Sequence, residues 1–291
     1  MTEMAARLKG AFASRVVLTD EDFRELSGLF REWCGIRMPP AKRSLLEGRL
    51  RKRLAVLGLT SYSRYREYLL TPGGQREEMA HAIDAITTNK TDFFREAKHF
   101  DFLVEEALPK VMCLDAAGSR RRINAWSAGC STGEEPYTLA MVLGEHAEKV
   151  PGFSFGILAT DVSTRALEIA RRGVYDVERV KPVPFELRRK YLMRSRDRGR
   201  DLVRIVPELR SRIQFHRLNF MDGTFNLAEP MHVVFFRNVL IYFDRATQER
   251  VVRNICHHLI PGGYLFTGHS ETLHGLDLPL VWTAATAYRR I

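Results

Sequence analysis

The stretch RINAWSAGCSTGEEPYTLAM, residues 122–141, constrains the fold more than any other part of the chain. Ile123, Ala125 and Trp126 make a short apolar run that reads as a buried strand. Small residues fill 127–133, with glycine at 129 and 133, and Tyr137, Leu139, Ala140, Met141 and Leu143 then follow a helical period. Strand, glycine turn and helix open a doubly wound α/β domain, whose ligand sits at the carboxyl ends of the strands. A turn built for a diphosphate offers bare N–H groups and the positive end of a helix. Here Glu134 and Glu135 occupy the first helical turn. They suit the helix dipole and would repel a diphosphate. Two readings follow: ordinary N-terminal carboxylates, or a site for a nucleotide-like ligand that is cationic and carries no phosphate. S-adenosylmethionine, with its ammonium and sulfonium, fits the second.

A length of 291 residues accommodates one large domain or two smaller ones. No apolar run approaches the ~20 residues that span a bilayer, and the N-terminal MTEMAARLKGAFASR has no apolar core of a secretory signal. Cys34, Cys113, Cys130 and Cys256 are scattered without metal-ligand spacing, which points to a reducing cytoplasm. The net charge of +10 favours acidic partners without choosing among nucleic acid, membrane surface and protein.

Along the chain, Asp20, Glu21 and Asp22 open a helical pattern carried by Phe23, Leu26, Leu29, Phe30 and Trp33. A second helix is expected over 41–57, with Leu45, Leu46, Leu50, Leu54 and Leu57 inward and Lys42, Arg43, Arg49, Arg51, Lys52 and Arg53 covering the rest; Glu47 is its only acid. Such a face is either simply solvated or a dock for an acidic helical partner. A short helix follows near 62–70, then Thr71-Pro72-Gly73-Gly74 as a break and a helix over 75–86. The chain thus divides into an all-helical domain over 1–88 and an α/β domain over 89–291. The polar segment TTNKTDFFRE, 87–96, lies at that boundary in the sequence. Residues 153–160 read as a strand ending in Asp161, with Ser163 capping the next helix. Asp161 is placed to hold ribose hydroxyls, or merely caps its loop. The rhythm breaks over 182–207, an arginine-rich antiparallel insert in which 202–206 alternates like an exposed strand. It resumes with strands at 213–218 and 232–236, a helix over 245–259, a turn at Pro261-Gly262-Gly263 and a closing strand pair over 282–290.

TTNKTDFFRE, WSAGCSTGEEPYTLAM, ILATDVS, FRNVLIYF and GGYLFTGHSE, together with the helix KRSLLEGRLRKRL, resemble the CheR family of chemotaxis receptor methyltransferases. The match runs over essentially the whole chain. It implies a Rossmann-like class I methyltransferase sheet with a small antiparallel β insert, preceded by an all-helical domain. It also implies transfer of a methyl group from S-adenosylmethionine to receptor glutamates, giving γ-glutamyl methyl esters and S-adenosylhomocysteine. By the resemblance, Asn89, Thr91, Arg95 and Glu134 hold the cofactor, Asp161 its ribose, and Asn219, Phe220, Arg237 and Asn238 line its adenine and methionine sides. The family's usual residue at 220 is leucine, so Phe220 is expected to give only backbone contact and packing. Arg95 and Tyr242 match the positions nearest the transferred methyl. Lys42, Arg49 and Lys52, with Arg53 beside them, match the basic positions that dock on the receptor; a further family arginine is Ala55 here. The implied partner is the cytoplasmic part of a chemoreceptor, the implied enzyme a cytoplasmic monomer with no metal, nucleic acid or membrane insertion.

Competing readings fit less well. A base-amino methyltransferase would carry N/D-P-P-Y where this chain has Arg237-Asn238-Val239-Leu240, and a dehydrogenase would carry GxGxxG. A silent receptor-binding module would have no reason to keep the cofactor positions. His269-Ser270-Glu271 and His257-His258 lack the setting of a triad or a metal site.

Overall fold

The structure is a computed structural model that describes residues 16–114, 121–197 and 199–291. The N-terminal stretch read above as lacking a signal lies outside them. The chain divides into two compact units, Met1–Thr88 and Asn89–Ile291.

The first unit is helical. In α1 (Asp20–Cys34) the Thr19 hydroxyl accepts from the Asp22 N–H at 3.0 Å, and Leu26, Phe30 and Cys34 are buried. In α2 (Arg43–Leu57) the inward residues are Leu46, Leu50 and Leu54, while Leu45 is exposed. After α3 (Tyr62–Leu70) the expected break is instead a helix start. Thr71 accepts from the Gly74 N–H at 3.0 Å and Pro72 sits in the first turn of α4 (Pro72–Glu77). Proline belongs there because the first-turn N–H has no helical partner to lose. The single helix expected over 75–86 is therefore two, α4 and α5 (Met79–Ile86).

In the second unit α6 (Lys98–Phe102) runs through a π-turn into α7 (Leu108–Leu114). Then come β1 (Arg121–Ala128), α8 (Glu134–Lys149), β2 (Phe153–Asp161), α9 (Thr164–Arg172), β3 (Val174–Asp176), a 3₁₀ turn Val177–Val180, α10 (Phe185–Tyr191), β4 (Leu192–Arg194) and β5 (Leu202–Ile205). They are followed by α11 (Pro207–Arg210), β6 (Ile213–Arg217), β7 (Met231–Phe235), a 3₁₀ turn Leu240–Tyr242, α12 (Arg245–His258), β8 (Leu259–Phe266), β9 (Leu280–Ala284) and β10 (Ala287–Arg290). The main sheet has the order β6-β2-β1-β7-β8-β10-β9. Its first five strands are parallel and β10 is antiparallel to both neighbours. Alternate residues feed two cores, one on each face. Ile123, Ala125, Val233 and Phe235 pack with α8 residues, whereas Trp126, Ala128, Val234 and Phe236 pack with α12 residues. A sheet buried on both faces explains why β1 and β7 read as near-continuous apolar runs.

The insert is a separate sheet of order β3-β5-β4. It begins at Val174, earlier than the sequence suggested, because a three-residue strand carries too little periodicity to read. Residues 202–205, expected to be exposed, form its central strand, with Val203 and Ile205 buried. Pro261-Gly262-Gly263, expected as a turn, lies within β8 at an irregularity in its pairing with β7.

Candidate functional site

Successive strands run outward in opposite directions from β1, to β2 and β6 on one side and to β7 and β8 on the other. A ligand crevice is expected where the order reverses, at the carboxyl ends of β1 and β7. The expected cofactor residues converge there. Gly129 and Cys130 donate their N–H groups to the Thr160 carbonyl at 2.8 and 2.9 Å, folding the turn against β2. Gly129 has φ +84° and a Cβ there would lie 2.5 Å from Val239 Cγ2, so only glycine fits this approach. Gly133 has φ +99° and would meet Ala170 Cβ at 2.8 Å.

Asp161, at the tip of β2, is aimed by two backbone groups. Its Oδ2 accepts from the Ser131 N–H and its Oδ1 from the Ser163 N–H, both at 2.8 Å. The junction loop joins it through Asn89, which donates to Ser163 Oγ at 3.4 Å. Asn219 follows β6, whose neighbour Leu218 donates to the Asp161 carbonyl at 3.0 Å, and its own Oδ1 accepts from the Met221 N–H. Phe220 is buried against Phe236 and Trp126, 4.9 and 6.5 Å between ring centres.

The two acids at the start of α8 are buried and do different work. Glu134 accepts from the Thr132 hydroxyl at 2.6 Å and from Arg179. Glu135 accepts from Ser127 Oγ at 2.6 Å and from Arg237 Nε at 2.7 Å. The Arg237 side chain, only 2% exposed, also donates to the Arg95 carbonyl at 2.7 Å and to His99 Nδ1 at 3.2 Å, and lies against the rings of Phe100 and Phe235. Its guanidinium therefore braces the loop that carries Arg95. That loop is strained at Phe94 and Glu96, with φ +54° and +56°, conformations that persist only where the surroundings impose them. Arg95 is half-buried, and its guanidinium meets the Lys90 carbonyl at 3.3 Å.

Tyr242 ends the 3₁₀ turn after β7, half-buried against the α12-side core. The turn is pinned by Glu271, whose carboxylate accepts from the N–H groups of Asn238, Gly268 and Ile241 at 2.7, 2.7 and 3.3 Å. Burial raises the Glu271 pKa, and these backbone bonds work against that shift. Asn238 has φ +59°. The roles of Glu271, His99, Arg179 and the Glu135–Arg237 pair were not apparent from sequence, because each depends on partners distant in the chain.

Glu96, His99 and His269 place potential ligand atoms within 4.8 Å of one another. Arginine can only donate, so His99 Nδ1 accepts from Arg237 and Nε2–H is left to donate to Thr286 Oγ1 at 2.7 Å. Both ring nitrogens are engaged, and the Arg237 cation lies 3.5 Å from Glu96. The cluster serves the ion-pair network. A cavity of about 730 Å³ beside β9, walled by Leu276, Leu278, Leu280, Trp282 and Tyr288, includes none of the expected cofactor residues.

The expected docking residues belong to the helical unit. Arg53 makes a two-pronged bond to Glu78 at 2.7 and 2.6 Å, and Tyr65 donates to the same carboxylate at 2.9 Å. Arg49 donates to the carbonyls of Ile86 and Thr87 at the end of α5 and to Thr88 Oγ1. Both guanidiniums are thus engaged inside the unit. Lys42 is half-buried and Lys52 exposed.

The cradle fits a cofactor of the chemistry expected. Two buried carboxylates, Glu134 and Asp161, flank a tight turn, and acids occupy the helix N-terminus where a phosphate would otherwise sit. Residues 89–288 match the family described as CheR methyltransferase, SAM binding domain, and residues 21–87 match CheR methyltransferase, all-alpha domain. A chemotaxis protein methyltransferase of Borreliella burgdorferi is 37% identical over 91% of this chain and 92% of its own length. Proteins of the same description from Salmonella typhimurium and Escherichia coli are 37% and 36% identical, each over 94% of this chain and over 91% and 92% of their own lengths. Similarity of that depth across both units, on a crevice built to refuse phosphate, makes this chain a member of the CheR family of S-adenosylmethionine-dependent methyltransferases.

Proposed function

We propose that this enzyme methylates glutamate side chains on the cytoplasmic helices of a chemoreceptor, giving γ-glutamyl methyl esters and S-adenosylhomocysteine. The observation that carries the reading is the acid-lined turn at the sheet's reversal point, next to the braced Arg95 loop. The receptor as substrate is supported by the description the relatives share, chemotaxis protein methyltransferase. In this reading Asn89, Thr91, Arg95 and Glu134 hold the cofactor, Asp161 its ribose, and Asn219, Phe220, Arg237 and Asn238 its remaining sides. Of the docking residues Lys42, Arg49, Lys52 and Arg53, Lys52 is the exposed one, while Arg49 and Arg53 also bond within the unit. No described helix is long and apolar enough to cross a membrane. The reading is of a cytoplasmic monomer that needs neither a metal nor nucleic acid.

S-adenosylmethionine supplies a methyl group made electrophilic by its sulfonium. A carboxylate attacking it brings opposite charges together, so charge is lost on the way to the transition state. The protein's task is to exclude water and align the reactants, and alignment can supply about 7–11 kcal/mol of such a barrier. Arg95 cannot act as a base. It positions a carboxylate, while Tyr242 closes the site beside the methyl or hydrogen-bonds the glutamate.

The test is turnover of Arg95→Ala and Tyr242→Phe on a receptor fragment, with S-adenosylhomocysteine binding measured alongside. Each should lower kcat by roughly 10- to 100-fold, and Tyr242→Phe should leave cofactor affinity nearly unchanged. Near-normal turnover in both variants would remove these residues from the site.

A further inference from the structure

The start of the insert reaches the cofactor cradle at three points. From β3, Tyr175 donates its hydroxyl to the Thr132 carbonyl at 2.8 Å. From the next turn, Arg179 donates to Glu134 Oε1 and to the Thr91 carbonyl, the latter at 3.3 Å. Thr91 and Glu134 are two of the expected cofactor residues and come from different segments, the junction loop and the glycine turn. One guanidinium ties them together. The Glu134 side chain is 0% exposed and its other oxygen takes the Thr132 hydroxyl, so Arg179 is the only cation paired with it among the described residues. A carboxylate withdrawn from water is costly to maintain without a cation and aligned donors.

We infer that Arg179 is a positioning residue for the amino-acid end of S-adenosylmethionine, holding the Glu134 carboxylate as an oriented anion and fixing the Thr91 loop beside it. This rests on the cofactor site proposed above. Arginine suits the task because its planar fork serves two acceptors at once. Each carboxylate oxygen has room for a second donor, so the bond from Arg179 does not use up the acceptor capacity of Glu134. Asp92 adds a further acid near the guanidinium, and the Arg179 pKa is raised, chiefly by its bond to Glu134. Arg179 itself is 43% exposed, so replacing it leaves no cavity in the core. The insert thereby acts directly on the cofactor's charged end.

The experiment compares two probes by titration calorimetry on wild type, Arg179→Met, Arg179→Gln and Arg179→Lys. S-adenosylhomocysteine carries the amino-acid end; 5′-methylthioadenosine has the same nucleoside thioether without it. Loss of this charge-assisted contact should weaken S-adenosylhomocysteine about tenfold or more in the neutral variants. The affinity for 5′-methylthioadenosine should stay within about twofold, and Arg179→Lys, which keeps the charge but not the planar fork, should recover only part of the loss. Two neutral variants are included so that a folding failure in one leaves the comparison intact. Unchanged S-adenosylhomocysteine affinity would overturn the inference. So would an equal loss for both probes, which would make Arg179 a support of the turn in general. A wild type that binds neither probe would instead overturn the cofactor site itself, and the inference with it.

Discussion

A guanidinium buried among carboxylates and rings needs a neutral acceptor on its remaining side, and His99 supplies it. Protonated, the imidazole would set a second cation against Arg237 at 3.2 Å. Burial, and after it Arg237, lowers the His99 pKa to about 4. The unfolded chain therefore takes up a proton near the ordinary value of 6.5 while the folded chain does not. Stability tied to this residue is complete above that pH and is lost as pH falls from about 6.5 towards 4. Between pH 7 and pH 5 the loss should be about 2 kcal/mol. Urea unfolding at both pH values, in wild type and His99→Gln, checks this: the variant should lose less stability on acidification by about that amount. An identical acid dependence in the two would place His99 outside the network. The network also gives the Arg237 side chain a bracing role that the sequence alone did not show. A motif match marks the position as important but not which of its atoms faces the ligand, and here the side chain faces Glu135 and the Arg95 carbonyl.

Helix α2 carries many cations and one acid, and from the sequence it reads either as a solvated face or as a docking face. Its cations are what one helix can show; its acids lie elsewhere. Arg53 meets Glu78, which opens α5, and Arg43 meets Asp20, which opens α1. Glu78 is 2% exposed, so Arg53→Ala would leave a buried carboxylate unpaired and should cost roughly 3 kcal/mol. Lys52→Ala, on an exposed side chain, should stay within about 0.5 kcal/mol while raising the KM for a receptor fragment. Urea unfolding and receptor titration of the two variants separate a fold-supporting cation from a docking one. The opposite pattern, a destabilised Lys52→Ala and a silent Arg53→Ala, would reverse the assignment. The same limit explains the other differences at this scale. The strands and long helices of the α/β core were legible because burial on two faces, or one, imposes a period on the sequence. Thr71-Pro72-Gly73-Gly74 was not, since the residues that end one helix are also those that start another. Nor was β3, whose three residues pair with a strand nearly thirty positions later.

For the molecule as a whole, the sheet order makes a crevice at the end of β1 unavoidable, and the acids of its turn decide what can occupy it. The α/β fold was legible in one twenty-residue stretch, because the stretch contains the strand and the turn together, while its two acids left the ligand open between a cationic nucleotide-like cofactor and none until the family resemblance was read. The substrate was not legible there, since recognition of a receptor is spread over surfaces remote in sequence. The central claim, methyl transfer to glutamate, is tested most directly by the chemistry of the product. The enzyme would be incubated with methyl-labelled S-adenosylmethionine and a chemoreceptor cytoplasmic fragment, and the labelled protein treated with mild alkali. The account predicts label on the receptor that is released as methanol, since carboxylate esters hydrolyse under those conditions, and labelling roughly 10- to 100-fold slower with Arg95→Ala. Label that survives alkali, as on nitrogen, or label found only on added nucleic acid, would contradict it.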